Sequence, residues 1–143
     1  MTNALYPLWK NALMTEAPTN KSLDQTDPAN SCYLSLVTIA SGYVYSKAHQ
    51  FYTDLTNVQA TPQQINQPVV SVNVFSGDTV VYTNVTGTTI GALVMHRQNL
   101  GANSTWRLVL YEDTGIIGFP MVPNGGNLIV TWNAAGIFAL GAT

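Results

Sequence analysis

One triplet in the chain has residue types and a placement that could do chemistry: Asp113-Thr114-Gly115, directly after the apolar run Leu108-Val109-Leu110-Tyr111. Aspartic proteases hold such a triplet on a strand-to-loop turn, and small viral versions bring two of them together by dimerising, so that the carboxylates share one proton. The neighbouring residues do not follow that pattern. Those proteases usually carry Ala or Ser after the glycine and an apolar-apolar-Gly loop far downstream, whereas here Ile116 follows at once and Ile116-Ile117-Gly118 comes too soon. With Glu112 adjacent, a polar hairpin turn is the simpler reading, and no catalytic residue is assigned.

The remaining reactive side chains are isolated. His49 and His96 stand far apart with no Cys, His or Asp at ligand spacing beside them, so neither begins a metal site, and structural roles are expected for both. Cys32 is the single cysteine, which excludes an internal disulfide framework and a multi-cysteine zinc site. It lies in the alternating stretch Ser31-Cys32-Tyr33-Leu34-Ser35-Leu36-Val37, where a buried, inert thiol is expected. No nucleophile elbow, phosphate loop or dinucleotide fingerprint is present, and no cofactor is implied. Trp9, Trp106 and Trp132, with seven tyrosines, could line a sugar-binding face, although core and subunit contacts are the commoner use of such residues.

Composition says more than the motifs. The chain is 46% apolar but only 8% charged, against about 25% charged residues in ordinary domains. Its surface must then be covered by Thr, Asn, Gln and Ser, with little of the like charge that keeps free monomers apart. Much of that surface is expected to lie against other subunits. No apolar run approaches the roughly 20 residues of a spanning helix, so no membrane is expected as a partner. Five basic and seven acidic residues, scattered along the chain for a net charge of -2, supply no basic stripe for nucleic acid. The first residues lack the basic-then-apolar order of a secretory signal, which suits a protein made in a cytoplasm and not exported through a membrane.

The elements that must position these residues are mostly strands. Leu5, Leu8, Trp9, Ala12 and Leu13 fall on one face of a short N-terminal helix, in which Pro7 is acceptable in the first turn. Residues 17 to 30 contain two prolines and many turn formers, and read as an irregular arm. The helix on this arm can dock on its own domain or on a neighbour, and Leu5, Leu8, Trp9 and Leu13 are the candidate contacts to a partner or a second copy. Strands are expected at 33–39, 69–75, 79–84, 90–96, 106–112, 119–122, 127–132 and 137–140. Ser76-Gly77-Asp78 and Asn124-Gly125-Gly126 read as hairpin turns. Ser46 reads as the N-cap of a short helix carrying Ala48, Phe51, Tyr52 and Leu55. The sum is a mainly β protein, an antiparallel β-sandwich or jelly roll over residues 31–143, preceded by the helix and arm of residues 1–30.

One resemblance joins these pieces. The segment from Val37 through Tyr43-Val44-Tyr45-Ser46 and His49-Gln50-Phe51, then Thr79-Val80-Val81-Tyr82, Thr86-Gly87, Gly118-Phe119-Pro120-Met121-Val122-Pro123-Asn124-Gly125-Gly126 and Val130-Thr131-Trp132, resembles small structural proteins encoded among the virion genes of tailed bacteriophages. The likeness spans residues 33 to 140. It implies a virion component at the capsid surface, a decoration or cement protein with the major capsid protein as partner, and it implies no catalysis. Where that family tends to carry Asp-Thr-Ala-Asp-Tyr, this chain has Thr38-Ile39-Ala40-Ser41-Gly42-Tyr43, so no role for those carboxylates is carried over. A homo-oligomer, dimer or trimer, on a capsid symmetry axis is the corresponding expectation. A head-tail adaptor, a tail or fibre component and a glycan-binding surface module are the alternatives.

Overall fold

A computed structural model describes residues 3–15 and 22–140. The protein is mainly β, with antiparallel sheets and a single short N-terminal helix among the described residues, as the strand patterning requires. The largest sheet has the order β1-β8-β7-β2-β3, formed by β1 (Ala4–Leu5), β8 (Arg107–Glu112), β7 (Ala92–Arg97), β2 (Cys32–Val37) and β3 (Val58–Gln64). Its central strands are buried nearly throughout, as expected of apolar runs covered on both faces. Pairing of Leu34 with Met95 and of Met95 with Leu110 places Leu34, Leu36, Leu93, Met95 and Leu110 on one face. The core cluster joins them to Val80 and Tyr82 of β6 (Val80–Tyr82), to Leu128 and Val130 of β9 (Leu128–Val130), and to Phe75 of β5 (Val74–Ser76). The Tyr82 hydroxyl donates to the Leu34 carbonyl at 2.6 Å and ties the two layers together. This layering is that of a β-sandwich; the strand order does not define it as a jelly roll.

The second layer holds a two-stranded ribbon, β6 with β9, and a three-stranded sheet of order β10-β5-β4, where β4 is Val69–Ser71 and β10 is Phe138–Ala139. Gly136 lies just before β10 at φ +103°, and a Cβ there would stand 2.4 Å from Val74 Cγ1, so only glycine admits the close approach that lets β10 pair with β5. The ribbon continues beyond its ladder. Gly125 and Gly126 exchange backbone hydrogen bonds with Val85, and Ile90 does so with Met121, so residues 80–90 run antiparallel to 121–130.

Several local expectations are corrected. The 69–75 segment is not one strand but the hairpin β4–β5, closed at the pair Ser71–Val74 by Val72 and Asn73, both with positive φ. Ser76-Gly77-Asp78 does not make a hairpin, because the strands it links lie in different sheets. Asn124-Gly125-Gly126 is a bend paired with Val85, and residues 119–122 contribute a single bridge, Ile90 with Met121. The helix expected from Ser46 is reduced to a 3-10 turn at Tyr52–Asp54. There the Asp54 carboxylate accepts from the Gln50 and Phe51 amides at 2.7 and 2.9 Å and holds the chain extended before the turn. Strand β3, with Pro62 and four polar residues on a sheet edge, was not expected at all.

The N-terminal segment is continuous with the domain. Helix α1 (Pro7–Thr15) starts at a proline, as anticipated. It follows an edge strand in which Ala4 and Leu5 pair with Tyr111 and Leu110. Residues 17–21 of the expected arm lie outside the described residues. The part from Ser22 is docked: Leu23 is buried, and the buried Arg97 donates from Nε to the Ser22 carbonyl at 2.7 Å. A boundary at residue 30 therefore does not divide the core.

Candidate functional site

Strand alternation over β6 and β9 sends Val80, Tyr82, Leu128 and Val130 inward, and leaves Val81 and Ile129 facing out, directly opposite each other. Val81 is 44% exposed and Ile129 62%. Their neighbours along the outer face, Thr79, Thr83, Asn127 and Thr131, are exposed and uncharged. The lack of charge extends through this half of the chain. Apart from Asp78, no Asp, Glu, Lys or Arg occurs between Leu55 and His96, and none occurs after Asp113. Val69, Val70, Val72, Ile117 and Val122, from the same stretches, are exposed as well. The charged residues fall almost entirely in the first 54 positions and in 97–113.

A cleft of about 660 Å³ opens onto this uncharged half. It lies between the end of β8 and β9, with the 114–119 loop as one wall, and its lining includes Leu93, Ile116, Phe119, Val130 and Trp132. The exposed Ile117 and Ile129 belong to it too. Glu112 is its single ionisable lining residue among the described residues, and pairing with Leu93 puts it on the inward face of β8. Burial raises the Glu112 carboxyl above the ordinary carboxylate range.

The sequence-derived candidates are distributed elsewhere. Asp113-Thr114-Gly115 forms a turn clamped by Asn3, whose Oδ1 accepts from the amides of Asp113 and Thr114 and from the Thr114 hydroxyl, at 2.9 to 3.0 Å. Asp113 Oδ2 accepts from the Tyr111 hydroxyl at 3.0 Å. Among the proposed partner contacts, Trp9 is corrected: it is 1% exposed and packs edge-on against Phe138 at 5.8 Å, so it belongs to the core of its own domain. Leu5, Leu8 and Leu13 are half-buried, and Leu5 and Leu13 pack on that same core.

Two aromatic clusters were not visible as units in the sequence. On the sheet face opposite the cleft, Tyr6, Tyr43, Tyr45 and Tyr111 gather with ring centroids 5.1 to 6.0 Å apart. The Tyr6 and Tyr43 hydroxyls share a 2.6 Å hydrogen bond, and Tyr43 bonds His49 Nδ1 at 2.8 Å. Burial raises the Tyr6 and Tyr43 hydroxyls, Tyr43 to about 12. His96 is fully buried among Tyr33, Tyr52 and Trp106, and desolvation lowers it to about 3, so it stays neutral. Cys32 is buried and pushed up to about 12, as an inert thiol should be. Trp106 and Trp132 direct their indole N–H groups to backbone carbonyls, of Asn99 and Gly101 and of Asp78 respectively. Among the described residues no group of His, Cys, Asp and Glu could hold a metal ion, and no helix is long and apolar enough to cross a membrane.

No protein-family model matches the chain, and neither a curated protein nor a solved structure shows significant similarity to it.

Proposed function

We propose that the protein is a structural component of a bacteriophage particle, a decoration (cement) protein that binds the outside of the capsid and reinforces contacts between capsomers. The observation that carries this reading is the outward pair Val81–Ile129 on a ribbon whose face lacks charge. An apolar strip rimmed by Thr and Asn favours protein contact, since charge is depleted at the centres of interfaces. A face of this kind also disfavours nucleic acid, whose phosphates require Lys and Arg. Binding restricted to the assembled shell would stabilise it by mass action, without any chemical step. The resemblance of residues 33 to 140 to virion proteins supports the same assignment, with the major capsid protein as partner and a dimer or trimer of this chain as the bound form.

The test is to image intact particles with an antibody against this chain, alongside light scattering of the purified protein. Many copies spread over the shell and a dimer or trimer mass at micromolar concentration are the expected results. Copies confined to one vertex would reassign the protein as an adaptor or tail component, and particles without it would overturn a virion role.

A further inference from the structure

We propose that the cleft beside β9 binds a small organic cation, an ammonium group on an apolar body, with the Glu112 carboxylate as its counter-charge. The volume of about 660 Å³ falls within the roughly 300 to 1,000 Å³ of small-molecule sites, which are mainly apolar with a few orienting polar groups. Here the apolar part is supplied by Leu93, Ile116, Phe119, Val130 and Trp132. Among the described lining residues the one ionisable group is the Glu112 carboxylate, set beside the neutral Asn3, Thr114, Thr131 and Asn133, and it receives no hydrogen bond or ion pair from any described residue.

That isolation selects the ligand class. A half-buried carboxylate without a donor is poorly solvated, and an anion brought beside it would be repelled. An ammonium group supplies both the missing donors and the opposite charge, and the rings of Phe119 and Trp132 suit a cation further. Asp113, the next residue in sequence, is engaged by Tyr111 and does not line the cleft. Asn3 and Thr114 at the rim are neutral. The inference does not rest on the assembly role, although Ile129 belongs both to the outward ribbon face and to the cleft lining.

The experiment titrates the full chain with phenethylammonium, 2-phenylethanol and 3-phenylpropionate, following the Trp132 indole and the 114–118 amides by NMR. The cation should bind about ten-fold or more tightly than either analogue, a difference of about 1.4 kcal/mol, and shift those resonances. In Glu112→Gln, checked for native fold by circular dichroism, the cation should fall to the affinity of the alcohol. Equal binding of cation and alcohol to the wild type, shifts located elsewhere, or no binding at millimolar concentration would each overturn the assignment without relying on the variant. Acetyl-lysine methylamide forms a separate arm: tighter binding of it than of phenethylammonium would replace the small molecule by a partner's lysine side chain and overturn the proposal as stated.

Discussion

Val81 and Ile129 face each other across β6 and β9 on the outer surface, while the residues on either side of each, Val80, Tyr82, Leu128 and Val130, are buried in the core. The alternation is therefore correct for a half-buried ribbon, and only the outward positions depart from what water favours. Two β-branched side chains in this place add to sheet pairing, but so would Thr, which occupies three of the four adjacent outward positions, 79, 83 and 131. Their apolar character points outward from the domain.

Replacing Ile129 by Lys should accordingly leave the fold intact, with a stability change within about 0.5 kcal/mol. Self-association and particle binding should weaken by about ten-fold or more, because an ammonium group would be buried unpaired in the contact. Thermal melting and sedimentation velocity separate the two effects. An unchanged oligomer and unchanged shell occupancy would show that the ribbon face is not the contact.

Trp9 gives the opposite expectation. It is packed on Phe138 inside its own domain, so Trp9→Ala should destabilise the monomer by about 3 to 5 kcal/mol. That loss should not depend on protein concentration. A variant that melts like the wild type while losing assembly would return the helix to the role of a partner contact.

The long, regular strands were legible from their apolar runs: β8 lies within the expected segment 106–112, and β2 and β7 overlap the expected 33–39 and 90–96, each starting or ending one residue outside. Helix α1 was legible from Pro7 and the spacing of Trp9 and Ala12. What failed depended on long-range partners. Strand β3 is polar and contains Pro62, so only pairing with β2 at a sheet edge makes it a strand. The 46–55 segment has helical spacing, but the Asp54 carboxylate captures two amides that a helix would have used otherwise. The Glu112 cleft could not be read at all, because Leu93, Glu112 and Trp132 meet only through sheet register and layering.

The β4–β5 turn was missed for a related reason: it lacks the glycine that usually marks it. Val72 and Asn73 occupy φ of 47° and 66°, the pattern of a type I′ turn, in which Asn-Gly is favoured and a β-branched residue is strained. Val72 is 90% exposed, so its side chain contributes little packing in return. Val72→Asn should raise stability by about 1 kcal/mol, measured as a shift of the denaturant midpoint at unchanged slope. A loss of stability would mean that the valine side chain stabilises the hairpin in some way that its exposure conceals.

His96 makes the last prediction, through its titration. Enclosed by Tyr33, Tyr52 and Trp106, it stays neutral in the folded protein down to about pH 3, whereas in the unfolded chain it takes a proton below about 6.5. Between those values the unfolded state binds the extra proton, so stability falls as pH falls, by roughly 1.4 kcal/mol per pH unit from this one group. Glu112 acts in the opposite direction: its raised folded value gives stability that is present in acid and lost as pH rises, so it cannot account for an acid loss. Asp24 and Asp27, held below the ordinary range chiefly by hydrogen bonds from Ser22 and Asn30, also lose stabilisation in acid, and the contribution of His96 must be isolated by difference. His96→Gln removes the titration and leaves the other groups in place. Between pH 6.5 and 5 the wild type should lose about 2 kcal/mol more than this variant in denaturant unfolding. Parallel pH profiles for the two would mean that the imidazole is protonated inside the fold, and that the aromatic enclosure admits water or a counter-charge.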